Sequence, residues 1–280
     1  MPDAFGGRTL LVASGKGGVG TSVVASLAAI AAAERGERTL LVDATEAGGS
    51  LHHLFGLRPA ASLWSLADHH TQPADVAIAI DDRLSLVAGG TSGSAAVPAT
   101  DHERRSAITK LVYLFEYYDS VIIDGGSRLD TIAAVLELAD PALLVVTSAD
   151  RLALAANYAL VKSTRARRAE SVVAVIANRH GESVAADACE YLAGACAHFL
   201  GRTIEVVGSI PDDPCLQAAV GAGMTVRDAL DGSPAADAMR GALARVLPPV
   251  SPPAGAPRAP MAMAGASLPP LPLPFSRRWS

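Results

Sequence analysis

Short, wholly apolar runs alternate with longer helix-periodic stretches along most of the chain. Residues 9–13, 38–43, 84–88, 120–124, 142–147, 171–177 and 205–210 are brief and rich in Val, Ile and Leu. A run that is apolar at nearly every position, rather than at alternate ones, suits a strand buried on both faces of a parallel sheet. Between them, residues 23–33, 101–117, 129–138, 152–165, 184–200, 215–221 and 234–246 have the length and spacing of helices. Thr100 and Glu103 form a capping-box pattern at the start of the 101–117 segment. Strand alternating with helix predicts an α/β fold: a mainly parallel, twisted sheet with helices on both faces. The pattern stops near Leu247, so residues 1–247 read as the folded domain. Ten of the 18 prolines fall in residues 248–280, among Ala, Gly and Ser. That composition predicts a disordered Pro/Ala-rich tail. Its tip, Phe275 to Ser280, joins two aromatics to two arginines.

Composition narrows the function classes. Half of the 280 residues are hydrophobic, enough for the core of one large domain. A net charge of −5 argues against broad nucleic-acid affinity. No apolar run approaches the ~20 residues that span a bilayer, and Met1–Gly7 is too short and polar for a signal peptide. Cys189, Cys196 and Cys215 are odd in number and lack C-x-x-C spacing, which argues against disulfides and zinc and for reduced thiols in a cytoplasmic protein.

The chemistry concentrates where the first strand meets the first helix. There the chain reads Ser14-Gly15-Lys16-Gly17-Gly18-Val19-Gly20-Thr21-Ser22. Against the phosphate-binding pattern G-x-x-x-x-G-K-[ST] it keeps Gly15, Gly20 and Ser22 but places Thr21 where the lysine belongs. A lysine stands five positions earlier, as Lys16. Strand, glycine turn and helix in this order gather backbone N–H groups and a helix N-terminus around one point, which attracts phosphate without any side chain. The alternative is a glycine turn that binds nothing. The chain has only three lysines among its 23 basic residues, so a lysine at 16 suggests a close phosphate contact that suits a compact ammonium.

The stretch from Gly15 to Gly20 resembles the deviant Walker A loop of the MinD/ParA ATPases. Leu40-Leu41-Val42-Asp43 is similar to that family's strand ending in an aspartate near the metal, and Val121-Ile122-Ile123-Asp124 to its Walker B strand. Asn178-Arg179 falls at the family's adenine-contacting asparagine, and the segment from Gly208 to Asp213 at its G-x-I-P-x-D motif. Within the family, residues 51–57, 158–162, 199–201 and 211–214 look most like the FlhG branch, which regulates flagellar number and placement. The resemblance implies a P-loop NTPase that binds ATP with Mg²⁺ and dimerises around it. Gly15, Lys16, Gly17, Gly18, Val19, Gly20, Thr21 and Ser22 would cradle the phosphates. Lys16 would reach the partner's phosphates, and Asp150 the ribose across the dimer. Asn178, Arg179, Pro211 and Asp212 would lie by the base. Ser22, Asp43 and Asp124 would hold the metal, and Lys16, Asp43 and Asp124 are the catalytic candidates. The FlhG likeness implies an FlhF-like GTPase or flagellar proteins as partners and peripheral contact at the inner face of the cell membrane, with no nucleic acid.

Three departures from the family pattern bear on turnover. Thr21 removes a charged hydrogen bond, which contributes about 1.5–3 kcal/mol. The family's D-x-D pair reads Asp43-Ala44-Thr45, so a hydroxyl replaces the acid that orients the attacking water. Ala156 stands where a second acid follows Asp150. Phosphoryl transfer depends on positioning and charge, so hydrolysis is expected to be slow or absent while binding persists. The expected role is a nucleotide-dependent switch that places or assembles a bacterial surface organelle, flagella first. The alternatives are a TadZ/CpaE-like pilus-assembly factor, since those proteins also tolerate Thr at this position, and a nucleotide-free scaffold. Elsewhere, the adjacent pairs His52-His53 and His69-His70 are expected to diverge rather than share a metal. Lys162, Arg165, Arg167 and Arg168 read as a solvated helix end rather than a DNA contact.

Overall fold

A computed structural model describes residues 8–46, 48–90 and 100–249. The strands are β1 (Arg8–Ala13), β2 (Thr39–Asp43), β3 (Ala77–Ala79), β4 (Leu84–Val87), β5 (Ser120–Gly126), β6 (Ala142–Thr147), β7 (Val173–Asn178) and β8 (Glu205–Ile210). They form a single eight-stranded sheet in the order β3-β4-β2-β5-β1-β6-β7-β8. Every pairing is parallel except that of the edge strand β3 with β4.

The alternation of side chains along β1 explains why the strand runs are apolar throughout. Leu11 and Ala13 enter a core shared with α3 (Asp101–Val112), α4 (Leu129–Ala139), α5 (Arg151–Arg167) and α6 (Glu182–Leu200). Leu10 and Val12 enter the opposite core, with α1 (Thr21–Glu34) and α8 (Pro234–Val246). Both faces are covered, so neither set of positions tolerates polarity. Helix α1 is sandwiched between the sheet and α8, and ten of its residues are buried. That is why residues 23–33 are apolar but for Ser26 and rich in small alanines.

The segments expected as strands and helices form as read, within a few residues. The 101–117 segment is the exception: α3 ends at Val112 and a separate 3₁₀ turn covers Phe115–Tyr117. Its N-terminus carries the capping box, with Glu103 N donating to Thr100 Oγ1 at 3.2 Å and Thr100 N to Glu103 Oε2 at 3.0 Å. Periodicity missed β3, the four-residue α2 (Leu51–Leu54) and the 3₁₀ turns Leu63–Ala67 and Pro73–Val76, all too short to show a period. Helix α7 (Pro214–Gly221) completes the element list. Most of the expected disordered tail, residues 250–280, lies outside the described residues.

Strand β1 sits between β5 and β6; the chain leaving β1 runs to β2 in one half of the sheet and that leaving β6 runs to β7 in the other. In open α/β sheets the crevice at that point, beyond the carboxyl ends of the strands, is where ligands bind. The loop from Ser14 to Gly20 lies there.

Candidate functional site

Two asparagines set the shape of the loop. Asn157, wholly buried on α5, accepts hydrogen bonds at Oδ1 from Gly15 N (2.6 Å) and Ser14 Oγ (3.1 Å), and its Nδ2 donates to Val146 O at 3.1 Å. Helix α5 therefore presses directly on the loop. A Cβ at Gly15 would lie 2.2 Å from Ala156 O, a backbone atom with no freedom to yield. On the far side, Asn178 at the end of β7 donates from Nδ2 to Val19 O at 2.8 Å. The same Nδ2 would be 2.3 Å from a Cβ at Gly20, which also has φ 92°. Glycine is needed there for space and for backbone conformation. Gly20 precedes α1, whose N-terminus has no side-chain cap and no acidic residue in its first turn. Such amides favour an anion, and the loop and helix entry fit a phosphate.

On the β2–β5 side two carboxylates meet. Asp43 and Asp124 are register partners on adjacent strands, and both are buried. Ser22 Oγ donates to Asp124 Oδ2 at 2.5 Å, and Gly126 N to Asp124 Oδ1 at 3.0 Å. Asp43 accepts from Thr45 N at 3.0 Å, from the Thr45 hydroxyl, and from Leu51 N at 3.3 Å. Burial, followed by the neighbouring Asp43, pushes the Asp124 carboxyl up to about 7. Burial also raises Asp43, against its hydrogen bonds to Thr45 and Leu51. Two carboxylates and a hydroxyl are a hard oxygen set of the kind Mg²⁺ takes when phosphates and waters complete its shell. Among the described residues no group of three His, Cys, Asp or Glu could hold a metal without such help. The Thr45 hydroxyl is spent on Asp43, and Trp64 Nε1 holds the Thr45 carbonyl at 2.9 Å.

Lys16 and Asp150, both expected to act across a dimer, are paired within this chain: Nζ lies 3.0 Å from Oδ2. Asp150 also accepts from Ser148 Oγ at 2.6 Å and caps α5 through Leu152 N and Ala153 N. The Ser148 and Lys16 contacts hold its carboxyl well below the usual range. Arg179, Pro211 and Asp212 follow β7 and β8, on the opposite side of the loop from the aspartate pair. Arg179 adopts φ 64°, and its Nε lies 3.4 Å from Asp212 Oδ1. Gln217 Nε2 donates to the same Asp212 oxygen at 2.8 Å.

The structure thus brings Gly15 to Ser22, Asp43, Asp124, Asp150, Asn178, Arg179, Pro211 and Asp212 to one edge of the sheet. It adds residues that sequence reading missed. Asn157 was legible in principle, because it occupies a buried position of α5 alongside Ala153, Leu160 and Val161. Glu46 gave no signal. It is buried and takes Arg104 Nε and Thr131 Oγ1, each at 2.6 Å, on one oxygen.

The other clusters carry little chemistry. His52 and His53 do not diverge as expected: on the short α2 their ring centroids are 3.9 Å apart at a 42° tilt. The basic cluster at the end of α5 is mostly paired. Arg165 binds Ala169 O and Ser171 O, Arg167 binds Ser163 and Glu137, and Arg168 binds Asp140. Cys189 and Cys196 are buried, and burial pushes the Cys189 thiol up to about 11.

Comparison with known proteins bears on the fold and the family. Residues 7–247 match the ParA family model, described as NUBPL iron-transfer P-loop NTPase. The antiactivator FleN of Pseudomonas aeruginosa is 24% identical over 241 residues, which is 85% of this chain and 86% of FleN. The septum site-determining protein MinD of Pyrococcus horikoshii, solved with Mg-ADP, superposes with a TM-score of 0.69 at 19% identity, over 85% of this chain and 95% of MinD. A Cyanothece McdA variant solved as its ATP complex gives a TM-score of 0.68 at 20% identity, over 87% of this chain and 97% of McdA.

Proposed function

Because the chain belongs to the ParA family of P-loop NTPases, we propose that it binds ATP with Mg²⁺ and dimerises around it as a nucleotide-dependent switch. The observation that carries this reading is the convergence of an uncapped helix N-terminus, the glycine loop and the Ser22–Asp124 bond of 2.5 Å at one point. The first-turn amides of α1 and the Gly15–Gly20 backbone bind the phosphates. Ser22, Asp124 and Asp43 hold Mg²⁺, which when bound neutralises phosphate charge. Lys16 leaves Asp150 to meet the nucleotide of a partner subunit. Arg179, Pro211 and Asp212 border the base, and Asn178 joins them while it anchors Val19. Turnover is slow: Thr21 supplies no ammonium, and the Thr45 hydroxyl is committed to Asp43 rather than to a water.

Likeness to FleN supports a regulator that sets the number or placement of flagella. The in-chain Lys16–Asp150 pair favours a second reading, a scaffold that never engages nucleotide. Isothermal titration with ATP-Mg²⁺, paired with sedimentation of the same samples, separates the two. The switch gives heat at micromolar to millimolar ATP and a shift from monomer to dimer. No heat at millimolar nucleotide leaves only the scaffold. Counting flagella and pili on a deletion strain tests the organelle: normal flagella with lost pili would replace the flagellar role by pilus assembly.

A further inference from the structure

The missing P-loop lysine leaves the β2–β5 side of the site short of a cation. Two carboxylates meet there, while Lys16 is drawn to the β6 side by Asp150. A basic side chain stands on the neighbouring loop. Arg128 lies four residues beyond Asp124, in the loop from β5 to α4. That loop runs against the phosphate loop: Ser14 N donates to Gly126 O at 2.9 Å, and a Cβ at Gly17 would be 3.5 Å from Ser127 Oγ. It also touches the Asp43 loop, since a Cβ at Gly126 would be 3.1 Å from Thr45 Cγ2.

Two features mark the Arg128 charge as loosely held. First, its ion pairs are long: Nε lies 3.4 Å from Glu46 Oε2 and Nη2 lies 4.0 Å from Asp130 Oδ2. Glu46 is bonded at shorter range by Arg104 Nε (2.6 Å), whose guanidinium also pairs with Asp101, and by Thr131 Oγ1, so Arg128 is the second and more distant guanidinium on that carboxylate. Its side chain is 58% exposed. Second, Arg128 occupies the N-cap position of α4 and makes no capping bond. That position favours Ser, Thr, Asp or Asn, and the helix dipole there disfavours a cation. A residue that breaks a local rule without local compensation is where function is expected.

We propose that Arg128 replaces the absent P-loop lysine, binding the terminal phosphates of the nucleotide from the β5–α4 loop of the same chain. A guanidinium reaching in from a neighbouring loop offers a bidentate fork to phosphate oxygens, as an ammonium at position 21 would offer a point charge. Occupation by phosphate exchanges the long Glu46 contact for a charge-assisted one and leaves Glu46 to Arg104. This rests on the nucleotide-binding reading above.

The test is titration of the parent, Arg128→Ala, Arg128→Lys and the double variant Arg128→Ala/Thr21→Lys with ATP, ADP and AMP, each with Mg²⁺. Arg128→Ala is expected to weaken ATP roughly ten- to hundredfold, to leave AMP within about twofold, and to melt like the parent. Arg128→Lys, which keeps the charge but not the fork, should bind ATP with an affinity between those of the parent and Arg128→Ala. Thr21→Lys should restore most of what Arg128→Ala loses, which a merely structural role of Arg128 would not allow. If the parent binds ATP and Arg128→Ala binds it equally well, or loses ATP and AMP in equal proportion, the assignment is wrong and the nucleotide reading stands. A parent that gives no heat with any nucleotide overturns both.

Discussion

Replacing Asp124 by Asn should make the nucleotide-free protein more stable, and increasingly so as pH rises. The Asp124 carboxyl is pushed up to about 7 from an ordinary 3.8, chiefly by burial and then by Asp43. Between those values the native state keeps a proton that the unfolded chain has released. The contribution to stability is therefore full below about pH 4 and is lost as pH rises through 7. At about 1.36 kcal/mol per unit, a rise of about three units costs the folded state roughly 4 kcal/mol at alkaline pH. The proton belongs to the pair, so the slope reports Asp43 and Asp124 together. Asn at 124 carries no ionisable proton and can still bond Ser22 Oγ, so the variant loses about 1 kcal/mol at most from that contact. The assay is urea unfolding in EDTA at pH 5, 6.5 and 8. The variant should match the parent within about 1 kcal/mol at pH 5 and exceed it by about 2–3 kcal/mol at pH 8, allowing for what the Ser22 contact costs. A variant that is less stable than the parent at pH 8, or a difference that does not grow with pH, refutes the reasoning. Saturating Mg-ATP should then stabilise the parent and leave Asp124→Asn nearly unchanged.

Asn157→Ala strips three hydrogen bonds from a fully buried position and should cost about 2–4 kcal/mol in urea unfolding while weakening ATP; unaltered ATP affinity would show that the loop does not depend on α5. Thr21→Lys combined with Thr45→Asp restores the phosphate cation and the second acid, and should raise phosphate release at least ~10-fold; an unchanged rate rejects both residues as the limit on turnover. Trp64 is buried and bonded to Thr45 O, so in a Trp279→Phe background its emission should change when ATP-Mg²⁺ is added; a constant spectrum at saturating ATP means the Thr45 loop does not respond.

Legibility of the sequence followed burial. The runs that became β1, β2, β5 and β6 were readable because both faces of those strands are covered, which forces an unbroken apolar string. Strand β3 was not: its three residues are only partly buried at the sheet edge. The phosphate loop announced itself through its glycines, yet the reason for Gly15 is the backbone of α5, some 140 residues away, and no local rule predicts that approach. Asp43 and Asp124 were visible as strand-end acids. That they would stand as register partners, both pushed toward holding a proton, is a property of strand order. The partnership of Lys16 with Asp150 was equally hidden, since each residue had a separate role in the resemblance. Arg128 and Glu46 left no pattern because their contacts join the loop after β2 to α3 and the start of α4, which only the fold brings together.

The interlocked Gly20 and Asn178 have a practical consequence for mutagenesis. Position 178 is proposed to border the base, yet its amide also holds the loop proposed to bind the phosphates. A library randomised at 178 to change purine preference will select for loop integrity at the same time. Lost ATP affinity there says nothing about the base until a phosphate-only ligand has been titrated beside it.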